Sequence, residues 1–188
     1  MTNRQPSMAT LMAALPEIRN APTNHGPIRY LCHRPDFGQR DFVSELTLTV
    51  KQGIPGERWM RHPWMRLPDG SPDPAIQVSI LPARVCDLVW QPGDVSPHPG
   101  DSIVADLETS LDNLPTGSLI GAGDAVLQVS AVFNDACVKW RKRYGEDALR
   151  WVRAEGHPHL RLRGILCAIT QDGVVRADDR LRVLRRGY

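Results

Sequence analysis

The chain has 188 residues, a formal net charge of +2 and 23% charged residues. That length suits one domain, or one domain with an arm, and is enough to bury a core. The small charge gives no argument for a nucleic-acid or membrane-surface partner, and no apolar run is long enough to span a bilayer. We therefore expect neither nucleic acid nor a membrane as a partner.

Residues 1–27 are rich in Pro, Asn and Thr, with a weak helical pattern at 8–15. They are predicted to form an arm that is either flexible or wrapped around the domain. Strand patterns dominate from residue 28 onward. The first half contains alternating apolar and polar stretches and one short helix that opens with a proline. The predicted strands are 45–50, 75–80 and 102–107, and the predicted helix is about 82–90.

The second half has clearer boundaries. Its predicted strands are 125–133, 161–170 and 181–185, and its predicted helices are 135–143 and 146–153. Gly145 separates the two helices, and Gly164 leaves room for a close backbone approach. Many short strands with close turns and few helices are typical of a β-barrel. We therefore predict a mainly β fold, a closed or nearly closed barrel with a few short peripheral helices.

The chain has four cysteines, Cys32, Cys86, Cys137 and Cys167. No two of them have the spacing of a metal finger. Cys86 lies in an apolar helix-like stretch and Cys167 in an apolar strand-like stretch, so both are predicted to be core residues. The first six residues lack the basic-then-apolar order of a secretory signal. These features predict a reduced, cytoplasmic protein.

Cys137 stands where a predicted strand passes into a predicted helix. With Asn134 or Asp135 as the N-cap, its thiol would lie in the first helical turn, where unpaired N–H groups and the helix dipole favour a thiolate. Arg141 is predicted to share its helix face, and Lys139 adds positive potential. Two interpretations stay open, a reactive cysteine or a buried cysteine that acts as a small hydrophobe.

Two arginines open the strand predicted at 161–170. An arginine pair that points into the mouth of the barrel would form an anion site, whereas the alternative is a solvated strand end. Arg163 is placed either in the same cavity as Cys137 or in a pair with a surface acid such as Asp178 or Asp179.

Six short segments follow one another in a fixed order along the second half. They are Asp112-Asn-Leu-Pro-Thr-Gly117, Gly123-Asp-Ala-Val-Leu-Gln-Val-Ser130, Asn134-Asp-Ala-Cys137-Val-Lys139-Trp140, the helical stretch 141–151, Leu162-Arg-Gly-Ile165 and Gly173-Val-Val-Arg-Ala-Asp178. This collinear set resembles the MOSC domain, the C-terminal domain family of molybdenum cofactor sulfurases. Upstream, Gly53-Ile-Pro-Gly-Glu-Arg-Trp59 and Gln77-Val-Ser-Ile80 are also similar to the family. The resemblance implies a MOSC-type β-barrel over residues 28–188.

The near-invariant cysteine of that family maps onto Cys137. The resemblance implies that Cys137 is the catalytic residue and the candidate molybdenum ligand. The implied function is a sulfur carrier or sulfurtransferase, or a molybdenum-cofactor-dependent reductase of N-hydroxylated compounds. The alternative is a non-catalytic carrier of molybdenum cofactor or of a sulfur-bearing metabolite. The candidate cofactor-binding residues are Lys139, Arg141, Arg163 and Asn134.

The sequence departs from the full sulfurase at several points. No stretch resembles the aminotransferase-like desulfurase domain, so we expect no pyridoxal phosphate to be bound by this domain alone. No stretch resembles an electron-transfer domain, so a separate sulfur donor or electron-transfer protein is expected as a partner. The histidine-glycine-rich loop of some small bacterial members is replaced by Arg58-Trp-Met-Arg-His-Pro-Trp64.

Overall fold

The computed structural model describes residues 4–187. Its strands are Gly26–His33 (β1), Asp41–Val43 (β2), Glu45–Leu48 (β3), Val78–Pro82 (β4), Ile103–Ala105 (β5), Leu119–Ala122 (β6), Ala125–Val129 (β7), Ile165–Gln171 (β8), Gly173–Arg176 (β9) and Arg180–Arg185 (β10). Its α-helices are Met8–Ala13 (α1), Leu15–Arg19 (α2), Ala83–Val89 (α3), Val138–Tyr144 (α4), Glu146–Arg153 (α5) and His157–Leu160 (α6). None of the helices within this range is long and apolar enough to cross a membrane.

Seven of the strands close into a barrel. Their order around the ring is β1, β10, β6, β7, β8, β4 and β5, which returns to β1. Neighbouring strands are antiparallel except β4 and β5, which run parallel. The strand β2 is added to β1, whereas β3 and β9 pair in a separate two-stranded sheet. This architecture confirms the predicted barrel with a few short helices.

The barrel interior is filled by side chains that alternate along each strand. In β7, Ala125, Leu127 and Val129 are buried and the residues between them are partly exposed, because successive side chains of a strand point to opposite faces. Cys167 of β8 lies in the same apolar cluster. Its core position confirms the sequence-based prediction.

A second apolar cluster lies between the barrel and the helices. Leu11 of α1, Cys86 of α3, Tyr144 of α4 and Trp151 of α5 are all buried in it. The backbone N–H of Met8 also donates to a carboxylate oxygen of α5, at 2.9 Å. The segment that precedes β1 is therefore packed on the helical layer through α1.

Two boundaries near the predicted site differ from the sequence-based prediction. Helix α4 begins at Val138 instead of residue 135, because Ala136 has a positive φ of 63° that no α-helix accepts. Strand β8 begins at Ile165 instead of residue 161, because Arg161 and Gly164 have φ of 50° and 86°. The two arginines at 161 and 163 therefore lie in a turn, and the prediction that they alternate on a strand face is wrong.

Gly164 brings this turn against strand β4. A Cβ at Gly164 would lie 2.1 Å from the carbonyl oxygen of Ile80, so the predicted close backbone approach is confirmed. Gly156 also has a positive φ, but nothing lies within 4 Å of its Cβ position. A side chain at either glycine would be strained by the positive φ, but only at Gly164 would it also clash with the backbone. Comparing the two positions therefore separates the cost of strain from the cost of the clash.

The exchange Gly164→Ala is expected to lower the free energy of unfolding by about 2–3 kcal/mol, since it combines left-handed strain with a clash against backbone. The matched exchange Gly156→Ala should cost about 1 kcal/mol, for strain alone. Urea unfolding of both variants measures the difference. Equal losses would show that the turn at Gly164 moves away from β4 without cost.

Candidate functional site

A cavity of about 490 Å³ opens where four chain segments meet. The segments are the loop after β1, the stretch 57–64, the residues 99–101 before β5, and residues 133–140 at the start of α4. Its volume is within the range of small-molecule and cofactor pockets. The walls come from distant parts of the chain, so the tertiary fold assembles the cavity.

Cys137 lies on the wall of this cavity with an exposed side chain. It is the N-cap of α4, with an extended φ of −137°, and its carbonyl oxygen accepts hydrogen bonds from the N–H groups of Trp140 and Arg141. The prediction of a position in the first helical turn is wrong, because the N-cap is Cys137 itself and not Asn134 or Asp135. The alternative of a buried cysteine is also wrong, because the thiol is open to a reagent or ligand.

The other three cysteines are buried free thiols. Burial raises the pKa of Cys32 to about 11 and that of Cys167 to about 12. Burial likewise raises the pKa of the Cys86 thiol. These thiols therefore stay protonated and shielded at neutral pH, so Cys137 is the accessible thiol among the four.

Arg163 lies on the same cavity as Cys137. Its Nη1 donates to Oδ1 of Asp101 at 2.8 Å, and its guanidinium lies 4.6 Å from the ring centre of Trp140. Asn134 also lines the cavity and donates to the carbonyl oxygen of Arg163 at 3.3 Å. The partner of Arg163 is thus a buried acid of the cavity wall, and neither of the surface acids considered from the sequence.

A second ion pair, between Arg34 and Glu57, also lies in the cavity wall. Nε and Nη2 of Arg34 donate to the two carboxylate oxygens of Glu57 at 3.0 and 2.8 Å. The same guanidinium donates to Oγ of Ser102 at 2.7 Å. The Glu57 carboxylate is almost fully buried, so this two-point contact ties the loop after β1 to the stretch that begins at residue 57.

Basic side chains outnumber acidic ones around the cavity. Among the described residues, six basic and four acidic side chains line it. Arg40, Arg58, Arg143 and Lys139 are in the cavity wall and form no ion pair within residues 4–187. Burial lowers the pKa of Arg40 and of Arg58, and the nearby charge of Arg143 lowers each further. A bound anion would relieve this repulsion.

The structure brings four of the predicted residues to the cavity and leaves one outside. Cys137, Lys139, Asn134 and Arg163 line it. Arg141 does not, and its guanidinium instead lies 3.7 Å from the exposed carboxylate of Glu146. Cys137 precedes α4, so the predicted shared helix face with Arg141 does not exist. The residues of α4 that line the cavity are Lys139, Trp140 and Arg143.

Sequence analysis missed several residues of the cavity. They are Arg34, Arg40, Glu57, Arg58, Trp59 and Asp101. A signal existed for two of the segments, since the upstream stretch 53–59 is also similar to the family and a Gly-Asp pair at 100–101 precedes a strand. No local pattern marks Arg34 or Arg40, whose roles depend on contacts with distant segments.

His98 supports the wall that carries Asp101. Its Nδ1 accepts the backbone N–H of Gly100 at 3.0 Å, which leaves Nε2–H to face Sγ of Cys86 at 3.5 Å. Three rings surround the imidazole edge to face, those of Tyr30, Phe42 and Trp90, with centroid distances of 5.4, 4.9 and 4.7 Å. The neutral imidazole therefore holds the turn 98–101 in place.

The free energy of unfolding is expected to decrease as the pH falls from about 6.5 to 4. Burial lowers the pKa of His98 to about 4, an effect that Asp101 partly offsets and that Arg40 and Arg163 add to. Below pH 6.5, the ordinary pKa of histidine, the unfolded chain binds a proton at His98, whereas the native protein binds it only near pH 4. His98 therefore gives the free energy of unfolding a slope of up to about 1.4 kcal/mol per pH unit between these values.

Urea unfolding at several pH values measures this slope. The variant His98→Gln cannot titrate at this position, so its slope should be shallower whatever its stability at pH 7. An identical slope in the variant would show that His98 does not contribute to the acid sensitivity.

Comparison with solved structures shows the same fold in known proteins. The YuaD protein from Bacillus subtilis has a TM-score of 0.59 and 19% identity, with 83% of this chain and 93% of that chain covered. YiiM from Escherichia coli has a TM-score of 0.55 and 20% identity, with 86% of this chain and 72% of that chain covered. A hypothetical protein of known structure has a TM-score of 0.58 and 19% identity over 90% of this chain and 71% of its own.

These likenesses define the class of fold. The closed barrel with short helices is a MOSC-type fold, as the collinear segments implied. No family model matches the sequence, and no curated protein matches it. At about 19% identity the structural likeness extends to the fold alone.

Proposed function

We propose that this chain is a MOSC-domain protein that handles molybdenum cofactor or transferable sulfur through Cys137. One observation carries the proposal: an exposed thiol lies on the wall of a 490 Å³ cavity whose basic side chains outnumber its acidic ones. A thiolate suits a soft metal or a sulfur acceptor, and arginines suit a phosphate. The thiol and the arginines together therefore suit a ligand that has an anionic group and, in addition, either a metal centre or a transferable sulfur.

The cavity residues fit the molybdenum cofactor. Four buried polar side-chain atoms of residues 4–187 have no partner, and three of them belong to cavity residues, namely Arg40 Nε, Trp59 Nε1 and Asp101 Oδ2. Buried polar atoms in native structures normally have partners, so unpaired ones grouped at a cavity favour a bound polar molecule. Arg40, Arg58 and Arg143 would hold the phosphate, and Cys137 would coordinate molybdenum.

When bound, the cofactor would supply redox chemistry at its metal. The chain itself would bind the phosphate through guanidinium groups, orient the pterin along the wall that carries Trp59, and present the Cys137 thiolate. An electron-transfer protein is then required as a separate partner.

Sulfur transfer is the second candidate function, favoured by the exposure of Cys137. The thiolate would attack the outer sulfur of a donor persulfide, form a new S–S bond and release the donor as its thiolate. The product is a Cys137 persulfide, and no metal is needed. A separate sulfur donor protein would supply the substrate. We also propose a cytoplasmic location, which the free thiols of all four cysteines support because free thiols suit a reducing compartment.

Purification without air, followed by three measurements, tests the proposal. Metal and pterin analysis detects the cofactor, mass spectrometry detects a persulfide on Cys137, and an assay with an N-hydroxylated base detects turnover. Bound cofactor with turnover supports a reductase, and bound cofactor without turnover supports a carrier. A persulfide in the absence of cofactor supports sulfur transfer. Protein with neither cofactor nor persulfide, and with no uptake of sulfur from a persulfide donor, would contradict all three.

A further inference from the structure

Two buried carboxylates lie in the cavity wall, and their hydrogen bonding differs. Both oxygens of Glu57 accept from Arg34. Oδ1 of Asp101 accepts from Arg163, whereas Oδ2 has no partner within residues 4–187 and is shut off from solvent. The side chain of Asp101 is only 2% exposed. An unpaired buried carboxylate oxygen is costly, so its presence at a cavity calls for a hydrogen-bond donor that the chain does not supply.

The side chain of Arg40 covers this part of the wall. A Cβ at Gly100, the neighbour of Asp101, would lie 2.6 Å from Nε of Arg40, so the arginine rests directly on the glycine. That Nε is itself buried without a partner. Arg40 belongs to the loop after β1, in which residues 36–39 are exposed. The two buried unpaired atoms, Arg40 Nε and Asp101 Oδ2, thus belong to neighbouring parts of one wall.

We infer that Asp101 is a recognition residue that accepts, at Oδ2, an N–H hydrogen from a nitrogen heterocycle bound in the cavity. The inference rests on the proposed function, whose cofactor carries a pterin. The hydrogen bond from Arg163 to Oδ1 holds the Asp101 side chain in place, so the other oxygen is a fixed acceptor. The ligand class is an amino-bearing heterocycle with its N–H edge toward Asp101 and an anionic group toward Arg40, Arg58 and Arg143.

A pair of small probes tests the inference without the whole cofactor. Pterin and lumazine are pteridines of the same size, but lumazine has a carbonyl oxygen where pterin has its amino group. A carboxylate accepts from the amino group and repels the carbonyl oxygen. Wild-type protein is expected to bind pterin at least about tenfold more tightly than lumazine, the gain typical of a hydrogen bond to a charged group.

Two matched variants locate the effect. Asp101→Asn should lose the preference for pterin, because the amide can turn a donor toward the ligand. Asp36→Asn makes the same charge change in the same cavity at an exposed residue, and should keep the preference. Calorimetric titration of both probes into the three proteins gives one pterin-to-lumazine affinity ratio for each protein. The wild-type ratio does not depend on whether Asp101→Asn folds.

The outcomes separate this inference from the function on which it rests. Equal affinity of the wild type for the two probes, or an unchanged preference in Asp101→Asn, would overturn the role of Asp101 and leave the cofactor proposal standing. Failure of the wild type to bind either probe would overturn the inference and the pterin-binding part of the proposed function together. The sulfur-transfer candidate would then be decided by the Cys137 persulfide alone.

Discussion

Replacement of Cys137 by serine is expected to abolish both persulfide formation and retention of molybdenum, with no loss of stability. Serine has no soft sulfur to bind the metal or accept sulfur. The thiol is exposed and makes no capping hydrogen bond in α4, so its loss removes no buried contact. Serine is a preferred N-cap, so the free energy of unfolding should stay the same or rise by up to about 1 kcal/mol.

The measurements are mass spectrometry after incubation with a persulfide donor, metal analysis, and thermal unfolding. Cys167→Ala is the matched control, because it removes a buried thiol of the barrel core. That variant should lose stability through the cavity that it creates and should still form the persulfide. A full persulfide yield in Cys137→Ser would contradict the assignment of Cys137.

Replacement of Arg34 by methionine is expected to lower the free energy of unfolding by about 3–5 kcal/mol. Methionine keeps most of the volume of the side chain but removes both guanidinium donors from the buried Glu57 carboxylate, which keeps the backbone N–H of residue 34. The cost arises from an uncompensated buried charge. Because both residues also line the cavity, binding of pterin should weaken as well.

Urea unfolding measures this loss of free energy of unfolding. Two further variants show whether the unpaired charge of Glu57 causes it. In the double variant Arg34→Met with Glu57→Met both charges are gone, so most of the lost stability should return. Arg176→Met breaks exposed contacts to Glu45 at 3.7 Å and to Asp124 at 3.8 Å, and should cost at most about 1 kcal/mol. A loss below 1 kcal/mol in Arg34→Met would show that solvent reaches Glu57 and replaces the guanidinium.

Local chemistry predicted some elements accurately. Helix α5 runs over Glu146–Arg153 as predicted, because acidic residues at its start, basic residues at its end and the preceding Gly145 are all local signals. The start of α4 was misplaced because Ala136 is held in a positive φ by distant contacts. Arg153 donates to the carbonyl oxygens of Asp135 and Ala136, and no pattern within 134–143 contains that information.

Among the cavity residues, too, some could be predicted from the sequence and others could not. Cys137 could be selected from the sequence because its local surroundings and the collinear segments both mark it. Asp101 could not, because its ionised partner Arg163 is 62 residues away. Arg163 already pairs with Asp101, whereas Arg40, Arg58 and Arg143 form no ion pair in the part of the chain that the structure describes, which is why we propose those three for the anion.

The sequence by itself determined the mainly β class, the short helices α3 and α5, the core positions of Cys86 and Cys167, and Cys137 as the cysteine of interest. These features depend on residue type and on spacing within one turn or one strand. Only the tertiary structure decided that Cys137 is exposed, that Arg163 pairs with Asp101, and that the loop after β1 closes the cavity. Closing the barrel brings together segments that are separated by 23 to 62 residues. The contacts formed in this way decide which charged side chains are paired within the cavity wall and which are not.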